Sequence, residues 1–145
     1  PSTEVRSSNP ARERPAEEVA HVARYYTRTH EWVTVSDDGV ATVGITDFAQ
    51  QQLGDVVFVE LAGTGKLLEA GDGFGTIESV KSASDLISPV AGTIVDVNGD
   101  LGGSPEVVNE DPYERGWLIK VKLNGDLSTS LLDEQAYKAE TEAQE

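Results

Sequence analysis

The 145-residue chain contains no cysteine and no methionine, and aromatic residues make up only 6% of it. Without cysteine there can be no disulfide, no thiolate metal site and no thiol nucleophile, a composition that fits a reducing compartment. Two histidines, His21 and His30, leave little for a histidine-based metal site, and none is expected. Basic charge is scarce too: 11 Lys and Arg stand against 26 Asp and Glu, a formal net charge of -15. Such a surface repels a polyanion, which argues against DNA or RNA and directs partnership toward proteins or small molecules. No apolar run approaches the roughly 20 residues needed to cross a bilayer, so no membrane association is expected.

What remains is a chain of one-domain size whose hydrophobic residues, 38% of the total, can build one mainly aliphatic core. Residues 1–24 hold three prolines, four arginines and four glutamates without a sustained apolar period, and they read as a flexible N-terminal extension, presequence remnant or tag. Because that extension is electrically balanced, the whole of the -15 belongs to the domain expected over residues 25–145.

From Tyr25 onward, short runs of Val, Ile, Thr and aromatics alternate with Gly, Asp, Asn and Pro every eight to twelve residues, the spacing of an all-β domain. Strands are expected at Trp32 to Val35, Val40 to Ile45, Val56 to Leu61, Phe74 to Val80, Gly92 to Val97 and Trp117 to Lys122. Ser36-Asp37-Asp38-Gly39 supplies a hairpin turn between the first two. Thr46 through Gly54 has an N-cap residue, helix formers and a terminal glycine, hence a short helix. A second helix is expected from Leu132 to Glu142. Small strands with few helices point to a sandwich or flattened barrel.

Several familiar chemistries fail on spacing. Gly63-Thr64-Gly65-Lys66 has Glu60 where a phosphate loop needs its first glycine and Leu67 where it needs a hydroxyl, so turn glycines are the better reading than a phosphate loop. No nucleophile elbow accompanies His30. Asn109-Glu110-Asp111 and Asp37-Asp38 read as solvated loops, since acidic pairs carry little specificity in so acidic a chain.

One segment stands apart. Strand character runs to Val80, small and polar residues follow through Asp85, and apolar character returns at Leu86, which describes a hairpin with Lys81 near its tip. Between Glu60 and Trp117 the only bases are Lys66, Lys81 and Arg115. Small neighbours Ser82 and Ala83 leave this ammonium open to modification. Glu78-Ser79-Val80-Lys81-Ser82-Ala83-Ser84-Asp85 resembles the lipoyl-lysine hairpin of the glycine cleavage H-protein family. The resemblance extends in order through Tyr26-Thr27-Arg28-Thr29-His30-Glu31-Trp32, Val43-Gly44-Ile45-Thr46-Asp47, Leu53-Gly54-Asp55-Val56-Val57-Phe58-Val59-Glu60-Leu61, Ser104-Pro105-Glu106 and Asp111-Pro112-Tyr113 to Gly116-Trp117, covering about residues 25 to 142.

The resemblance implies a mainly β barrel-sandwich hybrid of the lipoyl and biotinyl carrier type with short flanking helices, and lipoate joined covalently to Lys81. It implies a non-catalytic, monomeric shuttle that carries an aminomethyl group from glycine decarboxylase, a pyridoxal-phosphate enzyme, to aminomethyltransferase, which uses tetrahydrofolate. Dihydrolipoyl dehydrogenase would reoxidise the dithiol, and lipoylating enzymes would load the lysine. Glu31, Glu78 and Asp85 are implied to serve lipoylation or to hold the loaded amine. The compartment would be the mitochondrial matrix in a eukaryote or the cytoplasm in a bacterium. A cleft beside the hairpin, lined by Leu53, Phe58 or Ile87, is expected to shelter the loaded arm from water. Two alternatives are a lipoyl carrier relaying lipoate to, or serving, 2-oxo acid dehydrogenase complexes, and an acidic interaction module without cofactor.

Overall fold

In the computed structural model, which describes residues 24–125 and 131–144, the short Val- and Ile-rich runs form two antiparallel sheets. The larger is built from β1 (Arg24–Tyr26), β2 (Glu31–Val35), β3 (Val40–Ile45), β5 (Leu67–Leu68), β8 (Gly92–Val97) and β9 (Ile119–Leu123), in the order β1-β2-β3-β9-β8-β5. The smaller consists of β4 (Val56–Leu61), β6 (Gly73–Ser79) and β7 (Ala83–Ile87), with β6 central. These open sheets make a sandwich-like arrangement rather than a closed barrel. The positions before Arg24, which include nearly all of the extension read from the sequence, lie outside the described residues.

Alternation dictates which side chains meet between the sheets, since successive residues of a strand point to opposite faces. Val33, Val43, Ile94, Ile119 and Val121 from the larger sheet close on Phe74, Ile77 and Leu86 from the smaller, all at most 2% exposed. Burying such apolar side chains contributes about 1.5–3 kcal/mol each before the opposing chain entropy.

The helices are short and peripheral. Helix α1 (Asp47–Leu53) begins where Thr46 Oγ1 accepts the Ala49 N–H at 3.1 Å, and it stops at Gly54, whose N–H reaches the Gln50 carbonyl at 3.0 Å. This is the helix expected over Thr46 to Gly54. A four-residue helix, α2 (Val107–Glu110), follows a 3-10 turn at Gly99–Gly102. Helix α3 (Glu134–Gln144) starts two residues later than expected, because Leu132 is taken up in a β-bridge to Tyr26 and Asp133 accepts the Ala136 N–H at 2.8 Å. Among the described residues no helix is long and apolar enough to cross a membrane.

Candidate functional site

Lys81 stands in the three-residue turn between β6 and β7, exposed beside Val80, which is 69% exposed. The turn is built from local bonds. Ser79 N–H donates to the Ser82 carbonyl at 2.8 Å, while Ser79 Oγ accepts the N–H groups of Ser82 at 3.1 Å and Lys81 at 3.3 Å. One further bond anchors the tip to the body of the protein: Val80 N–H donates to the Asp55 carbonyl at 3.0 Å.

Asn109 holds the segment to which that tip is tied. Its Oδ1 accepts the Val56 N–H at 2.8 Å, and its Nδ2 donates to the Gly54 carbonyl and to Gln50 Oε1, both at 2.9 Å. The side chain thus clamps the peptides on both sides of Asp55. The sequence suggests a solvated loop for Asn109, but the residue is half-buried in α2 and joins α1 to β4. Only contacts across more than 50 residues give it this role, which is why local composition misses it.

A cleft of about 270 Å³ opens beside the hairpin. One wall comes from Ile77, Ser82, Ser84, Asp85 and Leu86 of the smaller sheet and its turn; the other comes from the β2 entrance and α1. Leu53 lines it as expected, but Phe58 and Ile87 do not. A register shift between Val56 and Phe58 turns both Val57 and Phe58 outward, to 52% and 49% exposure. Ile87, at the end of β7, lines a different concavity, together with Thr27, Thr29 and Ser88. Ile45, Ala49, Ile77 and Leu86 supply the apolar lining instead.

Glu31, at the start of β2, lies in this cleft and is only 2% exposed. Its Oε1 accepts the hydroxyls of Thr27, at 2.6 Å, and Thr29, and Ile87 N–H donates to Oε2 at 3.3 Å. Burial nevertheless holds its carboxyl above the ordinary glutamate range, because desolvation outweighs these donors. Asp85 reaches the same cleft from an exposed position. Glu78 does not: it faces outward from the strand residue after Ile77, opposite Phe58 and Ala83. Of the three acids selected from sequence, the fold therefore gathers Glu31 and Asp85 and leaves Glu78 on the outer face of the hairpin sheet.

His30 also contributes to the cleft, although the sequence suggests only a structural or partner-facing role. It adopts φ 72°, an uncommon conformation for a residue other than glycine. Its Nδ1 lies 2.8 Å from Tyr137 Oη, and the same hydroxyl lies 2.7 Å from Thr46 Oγ1, the cap of α1. Tyr137 stacks on Tyr26 at 4.6 Å, and burial pushes its phenol pKa up to about 12. One C-terminal side chain thus fastens both the β2 entrance and the N-terminus of α1, two of the elements that shape the cleft.

Comparison with known proteins agrees with this architecture. The profile of the family described as Glycine cleavage H-protein matches residues 24–144. A glycine cleavage system H protein of Chromohalobacter salexigens is 56% identical over 121 residues, covering 83% of this chain and 92% of the relative. One from Rubrobacter xylanophilus is 56% identical over 117 residues, covering 81% and 92%. The crystal structure of a glycine cleavage system H protein from Mycobacterium marinum superposes with a TM-score of 0.77 at 38% identity, covering 83% of this chain and 97% of that one.

Proposed function

The chain belongs to the glycine cleavage H-protein family, the lipoyl-bearing carrier component of the glycine cleavage system, and from that premise we propose that Lys81 is the residue that bears the lipoyl group. The observation that carries this reading is the position of Lys81, exposed on a turn that is bonded within itself and tied to the Asp55 carbonyl, beside the cleft. Among the described residues its ammonium makes no ion pair, so acylation would break none of theirs. The small side chains of Ser82 and Ala83 leave room for an enzyme to reach it.

When attached, the lipoyl group supplies the redox-active dithiolane that carries an aminomethyl unit, while the protein presents and shelters it. Glu31 and Asp85 would receive the cationic amine of a loaded arm folded back into the cleft. A positive charge beside Glu31 offsets the desolvation that raises its pKa, so the buried carboxylate is better suited to an occupied cleft than to an empty one. Ile45, Ala49, Leu53 and Leu86 would exclude water from that arm. Glu78, on the outer face, is available to lipoylating enzymes instead.

The partners in this reading are glycine decarboxylase, aminomethyltransferase and dihydrolipoyl dehydrogenase, each visited in turn by one tethered arm. Tethering raises the local concentration of the reactive group without tight docking, and the acidic surface speeds encounter more than it prolongs residence. Carriage of this kind requires no catalytic nucleophile or base from the chain itself. The bacterial sources of the relatives favour the cytoplasm of the two compartments expected.

Intact-mass analysis after incubation with lipoate, ATP and lipoate–protein ligase, followed by peptide mapping, tests the assignment. The expected result is one lipoyl group, located on Lys81, and glycine-dependent turnover when the loaded chain is combined with the three enzymes. Modification at another lysine, or turnover by a Lys81→Arg chain, would overturn it.

A further inference from the structure

The face of the larger sheet turned away from the cleft carries a cross-strand row with Arg24 opposite Thr34, Thr34 opposite Thr42, and Thr42 opposite Lys120. Two hydroxyls therefore lie between two cations, over three inter-strand steps or about 14 Å of backbone. Beside this row Trp32 crosses Gly44 so closely that a Cβ added there would stand 2.7 Å from the indole. The row and Trp32, together with Tyr113, Glu114 and Trp117, line an open pocket of about 230 Å³.

The charges in this pocket run against the character of the chain. In a protein of net charge -15, neither Arg24 nor Lys120 has a carboxylate within ion-pair distance among the described residues, and Glu114, which also lines the pocket, pairs with neither. Both cations lie over rings instead. The Arg24 guanidinium carbon is 4.5 Å from the Tyr113 centroid and 5.4 Å from that of Trp32, and Lys120 Nζ is 5.0 Å from that of Trp117. Arg24 Nε is buried and has no hydrogen-bond acceptor, a costly state for a charged donor. Donors, hydroxyls and ring faces in one concavity match an anion with a flat body.

We propose that this pocket binds a small planar carboxylate, its body against Tyr113 and Trp117 and its charge held by Arg24, Lys120 and the intervening threonine hydroxyls. Charge-assisted bonds to the guanidinium would fix its orientation, and ring stacking would select a flat molecule over an aliphatic one. The site lies on the opposite face of the sheet from Glu31 and the cleft, so it stands or falls independently of the carrier reading.

Trp32 and Trp117 are the chain's two tryptophans and both line the pocket, so the two indole N–H signals in a ¹H–¹⁵N spectrum of the full chain report on it directly. The probe is terephthalate, with benzamide as a flat uncharged control. A saturable shift of the Trp117 indole signal is expected with terephthalate and not with benzamide. Arg24→Gln and Lys120→Gln should each weaken binding on the order of tenfold, with backbone amide signals elsewhere unchanged. If Arg24→Gln disturbs the fold, Arg24→Lys, which keeps the charge but loses the planar fork, should bind with intermediate affinity. No saturable shift, equal shifts with benzamide, or undiminished binding by the Lys120→Gln chain would overturn the proposal.

Discussion

Lys81 lays its aliphatic stem against Gly54: a Cβ added to Gly54 would stand 3.3 Å from Lys81 Cε and 3.8 Å from Cδ. The residue that ends α1 is therefore also the surface on which the exposed lysine rests before its ammonium enters solvent. Because Asn109 fixes the Gly54 carbonyl, one short path of contacts runs from α2 to the hairpin tip.

Gly54 has φ 81° and ψ -161°, a conformation that a Cβ makes strained whatever space surrounds it. Gly54→Ala should cost on the order of 1–3 kcal/mol in urea denaturation. The lysine stem is flexible and can swing aside, so nearly the same cost should be found in a Lys81→Ala background. A cost that disappears with Lys81 would assign the effect to the side-chain contact instead.

Lys81→Arg should leave stability within about 0.5 kcal/mol of the parent, as expected for an exposed side chain without an ion pair. It should also abolish lipoylation, since a guanidinium is not an equivalent nucleophile. Parallel denaturation and intact-mass measurements separate these effects. A loss of several kcal/mol would identify Lys81 as a structural residue.

The framework was readable in the sequence wherever apolar residues alternate. Val40–Ile45, Val56–Leu61 and Gly92–Val97 form strands at their expected limits, while the other predicted strands move by one or two residues. Arg24–Tyr26 was not expected as a strand, because three residues have no period and their pairing with β2 is visible only in three dimensions. The hairpin around Lys81 was expected, but not the start of its second arm at Ala83, because Ala83, Ser84 and Asp85 are small or polar and give no strand period. Motif resemblance drew attention to Glu31 and Asp85, and the fold brings them to one cleft from positions 54 apart in the chain. The lining itself was less legible: a single register shift moved Phe58 to the surface, and nothing local marked Asn109 or Tyr137 as organisers of the site.

Asn109 offers the sharpest test of how the hairpin is supported. Asn109→Ala removes the acceptor of the buried Val56 N–H and the donor to the Gly54 carbonyl, so a loss of about 2–3 kcal/mol is expected. The effect should also be local. Hydrogen exchange at the Val56 and Val80 amides should accelerate more than at Val43 in the larger sheet, because Val80 is bonded to the peptide between the two clamped groups. Uniform acceleration across both sheets would mean that Asn109 contributes to global stability without specially holding the turn.

Glu31 makes the stability of the unlipoylated chain depend on pH in a direction opposite to that of an ordinary paired carboxylate. Its pKa in the folded protein is raised by burial, so the folded state holds this proton more tightly than the unfolded chain does. The stabilising contribution is fully present below the ordinary glutamate value of about 4.3, declines as pH rises from there through the raised folded value, and is lost above it. Glu31→Gln cannot ionise and lacks this dependence, while the remaining titratable groups largely cancel in a comparison of the two chains. The unfolding free energy of the parent minus that of the variant should therefore fall as pH rises from about 4 and level off once pH has passed the raised folded value. A difference that rises with pH would show that the Thr27, Thr29 and Ile87 donors outweigh desolvation. The predicted fall should shrink in a chain loaded with the aminomethyl arm, because a cation beside Glu31 restores the environment that its ionised form requires.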